Sequence, residues 1–484
     1  MICRPAHLLA LLALLALATV LPAGASAQGT AATTLTPAQE AREALKNQAD
    51  QAYRSGNYVE SERLLNQVLA QDAKDHVAYY LRASTRVEQG GATQDPALVR
   101  SGVTDARKAL GIEFNVDYYL PYLYGMSRLA EVENRPEHAS AGRAVADKVL
   151  GMGKGTADQK ANIYFQRSLL NLALGDKEAA KQDLRNAIKS SPKHLAAHTS
   201  LCNILLQEGN PQSAEAQFDA TIAAIPDQAL VYNNRGTFLQ GQGRSDEAIR
   251  DFQKSVELDP KYIPALTNLG YVQVMQQKYS EAEGNLSRSL ELDPKQAVAF
   301  NLRAAARLYL GQIEGAIQDY QTVVQLTPDA ASAFYELGFA QFFNRDYPAA
   351  RESLDQARRM DSSITFLPPW RYTAMVFSNQ RDQALSEFSA VERKPEDQRT
   401  WFDVLTLFLM GKINEDRVFA AIDDSTPETK AMQECEANYF VGLRHASRNQ
   451  PDQARQYFQK SLATGQRHLA AYRGAMYAVG QFDQ

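Results

Sequence analysis

The chain has 484 residues, with 51 Lys and Arg against 56 Asp and Glu. That near balance excludes the basic footprint of a nucleic-acid binder. Its three cysteines fall in no CxxC or Cys/His spacing, so the sequence carries no legible metal site.

Residues 1–27 read as a secretory signal. Arg4 supplies the positive end, and Leu8 to Val20 is a 13-residue apolar run, too short to span a bilayer. Ala25-Ser26-Ala27 is an Ala-x-Ala site, so cleavage is expected between Ala27 and Gln28. No cysteine follows the apolar run, so no lipid anchor is expected. The expected product is periplasmic or secreted, without membrane insertion after signal cleavage, and the leader's style suggests a Gram-negative host.

Residues 28–41 are mostly small and polar and read as a flexible tether. Residues 42–160 read as irregular helix pairs. Leu45, Ala49, Ala52, Gly56, Tyr58 and Leu65 mark the first pair, and Tyr79, Ala83, Ala106 and Leu110 the second, with an insertion at Gly90 to Pro96. Tyr118 to Glu133 and Pro136 to Leu150 form the third, and Pro121 and Gly125 make its first helix poor at the start. Gly151 to Thr156, GMGKGT, is glycine-rich with a lysine. It lacks the P-loop spacing and has no strand before it, so it reads as a linker.

Residues 161–364 hold six regular units starting at 161, 195, 229, 263, 297 and 331. In Ala229 to Tyr262, the residues Tyr232, Arg235, Gly236 and Leu239 share one helix face at period 3.6. Gly243 breaks the chain, and Ser245 or Asp246 is expected to cap the next helix. Ala248, Phe252, Ser255 and Val256 face inward on that helix, and Asp259-Pro260 stops it. Small residues at Gly236 and Ala248 allow the two helices to approach closely. Ala180, Ala214, Ala248, Ala282, Ala316 and Ala350 lie 34 residues apart, as do Pro192, Pro226, Pro260, Pro294 and Pro328. Cys202 falls at the small-residue position of its unit and reads as a core thiol, with no disulfide to Cys435 expected.

A period of 34 with Tyr232, Gly236, Gly243, Ala248, Phe252 and Pro260 in order resembles the tetratricopeptide repeat (TPR). The resemblance implies an all-α fold, a right-handed superhelical TPR solenoid of about twelve helix-turn-helix units with a C-terminal capping helix. Residues 365–484 carry atypical units built around Trp370, Trp401 and Cys435, and Arg467 to Val479 is expected to cap the stack. Trp401 to Lys412, the run Cys435 to Gly442, then Ala454, Phe458, Gly465 and Ala470-Ala471-Tyr472 resemble the end of NlpI-like bacterial envelope TPR proteins. That family implies an adaptor for envelope hydrolases and proteases that can dimerise. This chain has no lipid-bearing cysteine and many more repeats.

The TPR resemblance also implies that first helices line a concave surface. Its expected positions turn from polar in units 195 and 229 to aromatic in units 263, 297 and 331. The candidate peptide-binding residues are Asn233, Asn234, Asn268 and Asn301 for backbone amides, with Tyr271, Met275, Tyr309, Tyr335, Phe339 and Phe342 for apolar side chains. The alternative occupants of this surface are the chain's own C-terminal helices or a second subunit. No HExxH, GxSxG or EF-hand pattern is present, and the seven His are scattered. The expectation is a non-enzymatic scaffold without cofactors, binding protein or peptide partners in cell-envelope assembly or proteolysis. The second reading is a structural self-association module, a homodimer or higher homo-oligomer.

Overall fold

The computed structural model describes residues 36–482. The expected signal and most of the tether, up to residue 35, lie outside the described residues. Among the described residues there are 26 α-helices and no strand. They read as twelve helix-turn-helix pairs and one closing helix, and by contacts the chain divides into two compact units, Met1–Arg235 and Gly236–Gln484.

Unit one contains α1 (Pro37–Arg54) and α2 (Tyr58–Gln71), α3 (His76–Thr93) and α4 (Pro96–Ile112), α5 (Tyr119–Val132) and α6 (Pro136–Gly151). It continues with α7 (Ala157–Ala173) and α8 (Lys177–Ser190), α9 (Leu195–Gln207) and α10 (Pro211–Ala224). The boundary falls inside α11 (Ala229–Gly241). Unit two then holds α12 (Ser245–Leu258), α13 (Ile263–Met275), α14 (Tyr279–Leu292), α15 (Ala297–Tyr309), α16 (Ile313–Leu326), α17 (Ala331–Phe343) and α18 (Tyr347–Met360). After these come α19 (Leu367–Phe377), with a broken partner in α20 (Arg381–Glu387) and α21 (Ser389–Arg393), then α22 (Trp401–Met410) with the short α23 (Glu415–Ala420). Last are α24 (Pro427–Ser447), α25 (Pro451–Ala463) and the closing α26 (Ala470–Phe482).

The turn between paired helices needs one residue in the left-handed region. Positions 209, 243, 277, 311, 345 and 379 all have positive φ, and they are Gly, Gly, Gln, Gly, Arg and Asn. The backbone register therefore survives where the sequence has lost its glycine, at an expected local cost of roughly 1–2 kcal/mol for each non-glycine residue. Close approach is the second constraint. A Cβ on Gly236 would meet the Phe252 ring at 2.8 Å, and one on Gly442 would meet Phe458 at 2.7 Å. A bidentate pair locks the first helix to the second in three helix pairs, one of them Arg82 donating to Asp105. Arg167 donates to Asp183, and Arg303 donates to Asp319 with Nη2···Oδ1 at 2.7 Å.

Two local expectations need correcting, and a third gains detail. Ser245 is the first residue of α12, its N-cap is Arg244, and no side chain caps it there. The insertion expected at Gly90 to Pro96 extends α3 as far as Thr93. A Cβ on Gly90 would meet Val99 at 2.8 Å and the Asp95 carbonyl at 2.9 Å, so the glycine lets α4 pack against the extension. Pro121 does not shorten α5, because proline near a helix start removes only an N–H that has no intrahelical partner.

Each unit has its own apolar core. That of unit two centres on Trp370, whose ring lies 4.8 Å from Phe339, 5.1 Å from Tyr439 and 5.2 Å from both Phe342 and Phe440. Cys202 and Cys435 are both free and buried, and burial pushes the Cys202 thiol up to about 12.

Candidate functional site

In unit two the first helices α13, α15 and α17 carry most of the residues expected to meet a partner. The structure divides them into a covered part and an open part. Phe339 and Phe342 are buried, each 3% exposed, beneath Trp370 and its neighbours on α19. This corrects the expectation that both line an open groove. A bulky Trp on the next first helix fills the space between successive first helices, which a smaller residue would leave free. Tyr335 is half-buried, with its ring edge-on to Phe366 at 5.3 Å.

The closing helix α26 lies on the faces of α15 and α17. Tyr477 Oη donates to the Leu308 carbonyl at 2.6 Å, and its ring stacks on Phe343 at 5.7 Å. Arg473 Nη1 meets Glu336 Oε2 at 2.9 Å, while the Tyr309 hydroxyl donates to the Arg467 carbonyl just before the helix. Burial works against the Arg473 charge, and Glu336 and Tyr320 outweigh it, so the guanidinium is held above its usual range. The opposite side of α26 is small. Ala471, Gly474 and Ala475 are buried, and a Cβ on Gly474 would collide with the Tyr439 ring and hydroxyl. Small residues on one side and long reaching ones on the other seat α26 between α24 and the two first helices. Beside it, a cavity of about 300 Å³ is lined by Phe342, Tyr347, Phe377, Tyr439, Phe458 and Tyr477 among others.

The open part lies upstream. Met275 is 54% exposed and Val298 is 66% exposed. Asn301 is exposed and Tyr271 partly so. Tyr309, partly covered by its bond to Arg467, stacks on Tyr279 with centroids 4.4 Å apart and planes 8° from parallel. Asn268 is partly exposed, with Nδ2 3.5 Å from Thr237 Oγ1. Asn234, near the end of unit one, is partly exposed and accepts from Asn233 Nδ2 at 3.4 Å. Asn233 itself is only 1% exposed, which corrects its expected role as a contact for a partner's backbone. Its position in α11 turns toward neighbouring helices instead of solvent.

Unit one presents a different lining. Tyr53 on α1, Glu88 on α3 and Tyr124 on α5 come from three successive first helices, and each is partly exposed. Burial raises the Glu88 carboxyl to about 7, against the opposing pull of Arg128 and of a hydrogen bond from Tyr124. Nothing in the sequence reading singled out these residues, because the irregular spacing of 42–160 hides which positions face the first-helix side. The contacts of Arg473 and Tyr477 were equally hidden, since they join residues 137 and 169 positions apart.

Among the described residues, no group of three or more His, Cys, Asp or Glu side chains could hold a metal, and no helix is long and apolar enough to cross a membrane. What the geometry offers is surface: helical faces with apolar, amide and aromatic groups.

Tetratricopeptide repeat models match residues 171–233 and 227–295, and a TPR repeat model matches 306–344. Residues 171–295 and 306–344 thus carry tetratricopeptide repeats, and the fold is an all-α TPR solenoid; TPR proteins generally serve as non-catalytic scaffolds for protein partners. Among solved structures, it is similar to PilF of Pseudomonas aeruginosa at 24% identity, covering 48% of this chain and 99% of that one with a TM-score of 0.37. It is also similar to YrrB, described as a TPR protein with an unusual peptide-binding site, at 21% identity over 38% of this chain and 95% of that one, with a TM-score of 0.36. A third is PilW, a type IV pilus biogenesis factor, at 25% identity over 41% and 92%, with a TM-score of 0.35. No curated protein matches the chain.

Proposed function

We propose that this protein is a non-enzymatic scaffold of the bacterial cell envelope, exported by residues 1–27 to the periplasm, that holds partner proteins on its first-helix faces. The observation carrying this reading is α26. The faces of α15 and α17 already hold a helix of the same chain through a stacked ring, two backbone-directed tyrosine hydroxyls and a part-buried ion pair. A surface with that chemistry suits helical segments in general. The stretch around Tyr271, Met275, Val298 and Asn301 continues with apolar and amide groups, and a partner segment would lie there beside α26.

A photo-crosslinking residue at Met275 or Val298 tests this in the full-length chain, expressed with its leader in a Gram-negative host. Discrete heterologous adducts are expected from both positions, with none from Gln253, which is exposed on the second helix α12. Fractionation should place the adducts in the periplasm. Adducts only between copies of the chain, with a dimer in light scattering, would replace the scaffold reading with self-association. Equal labelling from Gln253 would remove any preference for the first-helix face.

A further inference from the structure

The cavity beside α26 lies apart from the open stretch around Met275 and Val298, neither of which lines it. Its floor is apolar and buried, formed by Phe342, Leu443 and Phe458. Tyr347, Phe377 and Tyr477 make partly exposed walls, and the exposed Arg345, in the turn between α17 and α18, stands at the edge. The Tyr347 ring is fixed 4.9 Å from Phe377 and 5.2 Å from Phe342. The space exists because three contributors are small. Gly474 and Ala478 lie one turn apart on α26, and Ala446 lies on α24. At Ala446 and Ala478, both partly exposed, a bulky side chain would fill the space.

One polar group of this lining is unused. Tyr439 is 2% exposed, and its hydroxyl makes no hydrogen bond with any described residue. The hydroxyl ends against Gly474, itself in the lining. Burial pushes its titration well above the usual range, so it stays protonated, a donor without an acceptor. The Tyr477 hydroxyl, by contrast, is spent on the Leu308 carbonyl. A buried donor left unpaired is costly, and an acceptor brought into the cavity removes that cost.

We propose that this cavity binds a small free carboxylate with an aromatic ring on a short alkyl arm, its ring on the apolar floor and its carboxylate accepting from the Tyr439 hydroxyl.

Three arguments define this ligand. The first is size. An apolar cavity of roughly 150 Å³ is enough to hold benzene, and about 300 Å³ leaves room for a ring and a short arm. The second is the lining, whose rings offer edge and face contacts to another aromatic group. The third is charge. Among the described residues that line the cavity, Arg345 alone is charged, and it is positive. It favours an anion and repels an amine. Arg345 also acts on the Tyr347 hydroxyl, and Tyr347 on that of Tyr439, in keeping with a shared space.

The test titrates the full-length chain with 3-phenylpropionate, its neutral amide and 3-phenylpropylamine, ranked by ligand-observed NMR. The carboxylate is expected to bind about tenfold tighter than the amine, with the amide between. Tyr439→Phe should weaken carboxylate binding severalfold without lowering the thermal midpoint, because the lost hydroxyl has no partner in the free protein. Arg345→Asn suits the left-handed backbone there, φ 62°, and should bring carboxylate and amide to equal affinity. Ala478→Phe should fill the space and abolish binding of all three. Hydroxyl-radical footprinting gives the location: saturating 3-phenylpropionate should slow oxidation of Tyr347 and Phe377 and leave Tyr271 unchanged. Equal affinity for the three probes would overturn the proposal, as apolar partition alone. So would absence of carboxylate binding, or binding that leaves Tyr347 and Phe377 unprotected. If Ala478→Phe does not fold, the footprint of the parent decides. The Met275 and Val298 adducts are independent of every one of these outcomes.

Discussion

The two units use the same repeat and do different things with its first-helix face. In unit two that face is aromatic, and the chain itself covers much of it. Trp370 fills the space beside α17, and α26 lies on α15 and α17 through Tyr477 and Arg473. In unit one the corresponding helices carry tyrosines and a carboxyl that burial raises to about 7. Buried carboxyls also occur in unit two. Glu436 is likewise raised to about 7 by burial, and it accepts the Trp401 indole N–H at 2.7 Å. Glu336 has Arg473. The difference teaches that a repeat's inner positions are not a binding site by rank in the repeat. What covers them decides.

The sharpest way to break the contrast is Trp370→Ala. It removes a ring that touches Phe339, Phe342, Phe343, Tyr439 and Phe440. A loss of about 3–5 kcal/mol is expected, typical of a large aromatic in a packed core. In a nearest-neighbour stack the loss stays close to the lesion. Hydrogen exchange should show faster opening of α17, α19 and α24, with α3 and α5 unchanged.

Next in size is Arg473→Ala, which leaves Glu336 partly buried without its guanidinium and frees the long side of α26. About 2–4 kcal/mol is expected, measured as a drop in the denaturant midpoint. Exchange in α26 should rise more than in α25. The charge reversal Glu336→Arg with Arg473→Glu should recover part of the loss, as expected if the pair and not the single arginine matters.

The Glu88→Gln variant sharpens the comparison from the other side. Its carboxyl titrates higher in the folded chain than its ordinary value of 4.5, so its contribution is fully favourable below that pH and is lost as pH rises through about 7. The variant should therefore match the parent at pH 4 and be more stable at pH 8, by about 1–3 kcal/mol. Thermal unfolding at the two pH values reads this. Smallest is Met275→Ser, at a residue 54% exposed. Its stability should change by less than about 0.5 kcal/mol, and its effect should appear in partner adducts alone.

Much of the fold was legible because the repeat is local. Ala248, Phe252 and Pro260 recur at fixed spacing, and each constrains neighbours within one helix pair. Even where glycine is lost, at Gln277 and Arg345, the register alone marks the turn, and φ stays positive there. The candidate site was legible only in part. Tyr271, Met275 and Asn301 do reach solvent, because none of the described helices returns to cover them. Phe339 and Phe342 do not, since their cover depends on Trp370 in the next unit. Asn233 is buried as well. The seat of α26 was the least legible feature, because Tyr477 finds Leu308 across 169 residues, and no period of 34 encodes such a contact.

The most direct test is hydroxyl-radical footprinting of the full-length protein, read residue by residue. If α26 covers the faces of α15 and α17, then Phe342, Phe343 and Tyr477 react slowly in the parent and Met275 reacts quickly. Arg473→Ala should raise the rates at Phe343 and Tyr477 without changing Met275. Rapid oxidation of Phe343 and Tyr477 in the parent would contradict the account, because the face would then be open and α26 would not be its occupant.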